Sequence, residues 1–243
     1  MTGNRPEGVW GCPPKEPRIA EGEVHLWRID LGRGLPDGHE AVLSPDEVAR
    51  AERFRFERDR HQYLLSSYTL REILSRYLGV PAGEVPIATT AKGKPYLREG
   101  AGRGIHFSLS HTHGVAMAAV ARERVGVDIE EMAEDYPHME VAENFFAREE
   151  VEALQAEADP QKRVRLFFSY WTRKEALLKA TGEGLYEDLR SIDLSGMGAT
   201  VDYRGSEWTV VELEPDGKLF CCFVLEGSLT HMERYQWEPL KQV

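Results

Sequence analysis

Asp128 and Glu130 stand two positions apart in Gly126-Val127-Asp128-Ile129-Glu130, and further along Trp171-Thr172-Arg173-Lys174-Glu175-Ala176 leads into Lys179. Val125, Val127 and Ile129 alternate with Gly126, Asp128 and Glu130, which is the period of a strand. A strand puts both carboxylates on one face, about 7 Å apart. Glu175 and Lys179 are one helical turn apart and share a side of a helix. Three carboxylates and a lysine suit a hard cation such as Mg²⁺ that holds a phosphate-bearing substrate. Each pair alone has a plainer use. Two acids on one strand face can line a solvated surface, and Glu175 before Lys179 is the favoured order for a surface ion pair. The combination points to phosphoryl chemistry.

A third element lies upstream, where Lys92-Gly93-Lys94-Pro95-Tyr96 precedes Phe107-Ser108-Leu109-Ser110-His111-Thr112. In this order and at these spacings the segments resemble the 4′-phosphopantetheinyl transferases, in particular the longer, single-chain, surfactin-synthetase-activating type. That family is marked by a G-[VI]-D-[IV]-E strand and a W-[ST]-x-K-E-[AS]-x-x-K helix, preceded by G-K-P and F-x-[IL]-S-H segments. All four are present without gaps. The motif core runs from Lys92 to Gly184, with a looser likeness back to Ser44, and four motifs in order are far more specific than one.

The resemblance implies transfer of phosphopantetheine from coenzyme A to a serine of apo acyl or peptidyl carrier proteins, with release of 3′,5′-ADP. This is holo-[acyl-carrier-protein] synthase activity. It implies Mg²⁺, or Mn²⁺, on Asp128, Glu130 and Glu175, with Lys179 neutralising the leaving phosphate. The general base is left open between Glu175 and Glu150, although Glu150 beside Glu149 also reads as an ordinary helix-start glutamate. Ser110 and His111 match residues that contact coenzyme A phosphates, and His113 is a decoy of the same kind. Gly93, Lys94 and Pro95 match a segment that holds the adenine and a phosphate; alone they would read as an ordinary turn. Arg50 and Arg53 are the candidates for the 3′-phosphate, since guanidinium forks suit phosphate oxygens. The chain departs from the pattern at Glu47, where the type sequence has a basic residue. Lys174 matches a further ligand position, but it points about 100° away from Glu175 around a helix, which gives it a partly structural role. Met132, Tyr136 and Met139 match the region that holds the carrier protein's helix. Trp171, Phe167 and Phe168 read as core packing. Two rival readings follow from the same residues: a coenzyme A-binding relative without turnover, and a metal-dependent pyrophosphohydrolase. The latter would gather many glutamates in one short helix, and no such run is present.

The elements that must position these groups can be read from periodicity. Val24–Leu31 reads as a strand. Ser44-Pro45-Asp46-Glu47 starts a helix with a cap and Pro in its first turn, and Val48, Ala51 and Phe54 form its buried stripe. A second helix runs over Asp59–Leu78 and stops at Gly79. Strands follow at 105–110, 115–121 and 124–131. Short helices cover 138–156, a long one covers 161–181, and strands follow near 191–194, 200–204, 208–213 and 219–225. The tail 226–243 gives no clear signal. Helices then strands, twice over, make an α+β fold. The resemblance adds that it is two similar lobes in a pseudo-twofold arrangement with the active site between them. The expected division is a loose lead-in over 1–21, an N-terminal lobe over 22–123 and a C-terminal lobe over 124–243.

The 243 residues are 42% hydrophobic and 29% charged, as in an ordinary globular protein. No apolar run reaches the length of a membrane span, and Met1–Ala20 lacks a signal-peptide core. Cys12, Cys221 and Cys222 make no disulfide framework or zinc spacing. A cytoplasmic monomer is expected, with no membrane partner. The net charge of −11 argues against nucleic acid. It also requires that basic residues be concentrated wherever coenzyme A binds. Arg50, Arg53, Arg55, Arg58 and Arg60 provide one such concentration.

Overall fold

Alternate residues of the first strand, β1 (Glu23–Asp30), feed two different cores. Val24 and Leu26 point into one, and Trp27 and Ile29 into the other, because successive strand side chains leave opposite faces. The computed structural model describes residues 10–98, 100, 102–133, 135–182, 189–196, 198–214 and 217–239. After β1 come α1 (Pro45–Ala51), α2 (Glu57–Leu78), β2 (Ile87–Thr89), β3 (Pro95–Leu97), β4 (His106–Thr112) and β5 (Val115–Ala121). The second half comprises β6 (Val125–Glu131), α3 (His138–Phe145), α4 (Arg148–Ala156), α5 (Pro160–Thr181), β7 (Thr200–Tyr203), β8 (Ser206–Leu213), β9 (Leu219–Glu226) and β10 (His231–Gln236).

The halves share one plan. In the first, β1 is followed by a 22-residue helix, α2, and then by a hairpin whose second strand, β5, returns antiparallel to β1. In the second, β6 is followed by a 22-residue helix, α5, and by a hairpin whose second strand, β9, returns antiparallel to β6. The sheets are ordered β10-β1-β5-β4 and β6-β9-β8-β7, and β2-β3 forms a small ribbon. Their inner faces meet in a core that contains Leu26, Met117, Val127, Ile129, Cys221 and Phe223. Trp27, Leu65, Ile73 and Phe107 pack in the core around α2, and Phe167, Leu177, Cys222 and Val224 in the core around α5. Adjacent Cys221 and Cys222 therefore serve different cores, as free thiols.

Local chemistry explains the boundaries. Ser44 and Glu47 form a capping box, with Glu47 N donating to Ser44 Oγ at 3.3 Å and Ser44 N donating to Glu47 Oε2 at 2.7 Å. Gly79 and Gly182 end the two long helices in the left-handed region, at φ 64° and 78°, which costs glycine little. Two expectations are corrected, and the tail that gave no clear signal gains an element. Helix α1 buries Ala51, but Val48 is 36% exposed, and Phe54, beyond the helix end, is 38% exposed with one face against Tyr63, their ring centroids 5.3 Å apart. Residues 191–194 form no strand and follow a 3₁₀ turn over Leu189–Ser191. The tail contains β10, which runs parallel to β1, so the first sheet takes a strand from beyond residue 123. Among the described residues, no helix is long and apolar enough to cross a membrane.

Candidate active site

Helix α5 lies directly on β6 because position 126 has no side chain. A Cβ there would stand 1.9 Å from Ala176 O and 2.6 Å from Ala180 N. This contact brings Asp128, two residues further along the strand, up to Glu175 and Lys179 on the helix. On its other side β6 meets the edge of β4. Alternate hydroxyls of β4 take the place of a ladder: Val127 N donates to Ser108 Oγ at 3.1 Å and Glu131 N to Thr112 Oγ1 at 3.3 Å. The middle member, Ser110 Oγ, donates to Asp128 Oδ1 at 2.8 Å. The Ser-x-Ser-x-Thr alternation thus joins the two halves of the molecule where the acids gather.

Asp128 is 3% exposed. Lys179 Nζ donates to its Oδ1 at 2.6 Å and to Ser110 Oγ at 2.7 Å. Asp128 Oδ2 and Glu175 Oε1 are buried without a hydrogen-bond partner. Burial, and then the Asp128 charge, raises both remaining carboxyls; Glu130 is pushed up to about 7 although Trp171 and Lys179 pull the other way. Trp171 Nε1 donates to Glu130 Oε1 at 3.2 Å. His111 is held below its ordinary value by burial and then by Lys179. Ser110, His111, Asp128, Glu130, Glu175 and Lys179 all line a cavity of about 730 Å³.

A second cavity of about 410 Å³ is lined by Arg50, Lys92, Gly93, Lys94 and Pro95, and it shares Leu109, Glu175 and Lys179 with the first. Gly93 makes its turn at φ 89°. Lys94 Nζ donates to Ala180 O at 2.7 Å, and burial, then Arg124, lowers its ammonium to about 8. The Arg50 guanidinium lies over the Tyr63 ring, 5.4 Å from its centroid. The sites expected from separate motifs are therefore brought together in two adjoining hollows, one acidic and one basic.

Some expected members lie elsewhere. Arg53 is exposed and lines neither cavity. Glu150 and Lys174 are enclosed as an ion pair with Nζ 2.9 Å from Oε2, and they line neither cavity. Glu47, at the departure from the family pattern, is occupied by the α1 cap and by Arg71 Nε at 2.8 Å. Met132 and Met139 pack against the α5 core, whereas Tyr136 is exposed. Trp171 lines the larger cavity and is more than core packing. Arg190 and Asn144 were missed altogether; lone polar residues outside a motif carry no signal in the sequence.

Among the described residues, no group of three or more His, Cys, Asp and Glu side chains converges to hold a metal ion by itself. The expected Asp128, Glu130 and Glu175 set is one that pyrophosphate oxygens and water complete, so it does not depend on such a cluster. The arrangement still fits Mg²⁺, which takes one or two carboxylates and completes its octahedron with substrate phosphates and water. The unpartnered Asp128 and Glu175 oxygens offer such a pair.

Two family models divide the chain. The model described as 4'-phosphopantetheinyl transferase, N-terminal, matches residues 38–123, and that of the 4'-phosphopantetheinyl transferase superfamily matches residues 124–217. The 4'-phosphopantetheinyl transferase HetI of Nostoc sp. is 36% identical, covering 95% of this chain and 96% of its own. The 4'-phosphopantetheinyl transferase psf-1 of Bacillus pumilus is 34% identical over 61% of this chain and 62% of its own. The L-aminoadipate-semialdehyde dehydrogenase-phosphopantetheinyl transferase of Xenopus laevis is 28% identical over 89% of this chain and 80% of its own.

Proposed function

Because the chain belongs to the 4′-phosphopantetheinyl transferase superfamily, we propose that it moves phosphopantetheine from coenzyme A to a serine of apo acyl or peptidyl carrier proteins, with Mg²⁺ as its cofactor. The serine oxygen forms a bond to the phosphorus that bears the pantetheine arm. The bond from that phosphorus to the bridging oxygen breaks, and 3′,5′-ADP leaves. One observation carries the reading: a basic hollow and an acidic one share a wall made by Glu175 and Lys179. The basic hollow suits the nucleotide end of coenzyme A, with Arg50 and Lys94 for phosphate and Gly93 permitting close approach. The wall with Asp128, Glu175 and Lys179 then meets the pyrophosphate. A cation on Asp128 and Glu175, with Glu130 beside them, would supply charge neutralisation between the two phosphates.

Lys179, which lines both hollows, would meet the leaving phosphate as a point charge. Ser110 and His111 reach the same hollow from β4. With Glu150 enclosed, Glu175 is the carboxylate that faces both hollows, which puts it in reach of the serine proton, directly or through water. Both hollows are walled by one chain, which supports action as a monomer.

The test is intact-mass measurement of an apo carrier protein after incubation with this protein, coenzyme A and Mg²⁺. A gain of one phosphopantetheine, lost with EDTA, is expected. No gain on carriers from fatty-acid, polyketide and nonribosomal-peptide synthases would overturn the reading.

Lys94 gives a pH signature. Its charge fades as pH rises through about 8, so coenzyme A affinity, measured by calorimetry, is expected to fall several-fold between pH 7 and 9. Ligand-free stability should move the other way between pH 8 and 10.5, where the unfolded lysine still binds a proton that the folded one has released. Lys94→Arg should flatten the affinity profile. A profile that is the same with Lys or Arg would remove Lys94 from the site.

A further inference from the structure

Lys174 and Glu150 are fully buried, and the groups they hold are mostly backbone. Lys174 Nζ donates to Leu189 O at 2.8 Å and to Ile192 O. Glu150 Oε1 accepts from Leu194 N at 2.9 Å, and Oε2 accepts from Ala147 N at 2.9 Å as well as pairing with the lysine. Buried ion pairs are weak contributors to stability, because desolvation opposes the attraction. What this pair does, and an apolar pair could not, is satisfy three backbone groups of residues 189–194, a segment with no strand partner. That segment delivers Leu189 and Arg190 to the wall of the larger cavity. Arg190 then donates from Nε to Asn144 O at 2.9 Å and from Nη2 to Glu143 O at 3.1 Å, which fixes the end of α3. Asn144 and Phe145, the latter 46% exposed, complete the same wall.

Building on the transferase reading, we propose that Glu150 and Lys174 are positioning residues that fix the wall made by Asn144, Phe145, Leu189 and Arg190 as the seat of the carrier protein. None of these four wall residues borders the basic hollow, so coenzyme A in that hollow leaves this wall for the acceptor. Its chemistry matches an acidic partner helix: a guanidinium beside an exposed aromatic ring. Neither buried residue touches a substrate. This differs from the roles that their motif positions imply, a proton acceptor for Glu150 and a coenzyme A ligand for Lys174.

The test uses the full chain as wild type, as the double variant Glu150→Gln/Lys174→Met, and as Arg190→Ala. The double variant leaves no unpaired charge buried, and the exposed Arg190 can be replaced without opening a core. Each is assayed with coenzyme A and a carrier protein that the wild type modifies, varying one substrate at a time. Both variants are expected to raise KM for the carrier about tenfold while KM for coenzyme A and kcat stay within about twofold. A fall in kcat of about a hundredfold in the double variant at unchanged carrier KM would assign chemistry to the pair and overturn the proposal. A tenfold loss of coenzyme A affinity would do so by making Lys174 a ligand, and unchanged kinetics in either variant by making the wall irrelevant. If the double variant fails to fold, Glu150→Gln, whose amide oxygen can still accept from the backbone, is read beside Arg190→Ala with the same expected pattern. Absence of transfer by the wild type fells the transferase reading and this one with it, whereas transfer by the wild type with the wrong variant pattern fells only this one.

Discussion

Replacing Gly126 by alanine is expected to lower the thermal unfolding midpoint by about 10 °C and to remove most of the activity. The added methyl carbon would sit 1.9 Å from Ala176 O and 2.6 Å from Ala180 N, where carbon atoms need about 3.5 Å. Both neighbours are backbone atoms of α5, so no side chain can swing aside, and the helix as a whole must move. Overpacking of this kind costs about 3 kcal/mol or more, and in a chain of this size each kcal/mol is worth about 2–4 °C. The damage to function has the same origin. Glu175 and Lys179 precede Ala176 and Ala180 by one residue each, so lifting the helix separates Lys179 from Asp128, now 2.6 Å apart. Misplacement by about 1 Å can cost a hundredfold in rate. Calorimetry with an activity assay checks both halves, and a variant with native midpoint and turnover would mean that the helix does not press on the strand.

Asp128→Asn is expected to lower turnover by about a thousandfold or more while leaving the fold at least as stable as before. The amide keeps the shape but loses the charge that pairs with Lys179 and, with Glu175, offers an open oxygen to a cation. It also relieves strain. The Asp128 charge is one cause of the raised Glu130 and Glu175 carboxyls, so in the variant both should return toward the ordinary carboxylate range. Three acids crowded together in a mostly buried place are an electrostatic cost that the fold carries for the sake of the site. Thermal unfolding and kcat, measured on one sample, separate these effects. Turnover within tenfold of wild type would sink the metal-site assignment.

The placement of Asp128 and Glu130 could be read in the sequence because their period is local: the alternation in β6 requires them to share a face. The same is true of the Ser108, Ser110 and Thr112 hydroxyls, and of the capped start and glycine stop of the helices. The position of Glu150 and Lys174 could not be read. A motif shows that a lysine precedes Glu175, but only the fold shows that residues 189–194 run beneath it and claim its protons. The exposure of Phe54 was not legible for a related reason, since it lies beyond the end of the seven-residue α1 and only the fold shows what lies against it. Strand β10 was invisible because His231-Met232-Glu233-Arg234-Tyr235-Gln236 has no apolar alternation, and its partner is far away in the chain.

That partner is β1, and Gln236 Nε2 reaches Arg28 O across 208 positions of sequence. The first sheet is thus finished only after the strands of the second have been made. During synthesis one flank of β1 stays bare, with unpaired amides and carbonyls, until His231–Gln236 has been made about 200 positions later. So distant a closure slows folding. It also makes the likeness between the halves deceptive: severed at residue 123, the first half would lack a strand, and its open edge would be an invitation to pair with other copies. The first sheet is closed by a strand from the second half, so the two halves share one fate.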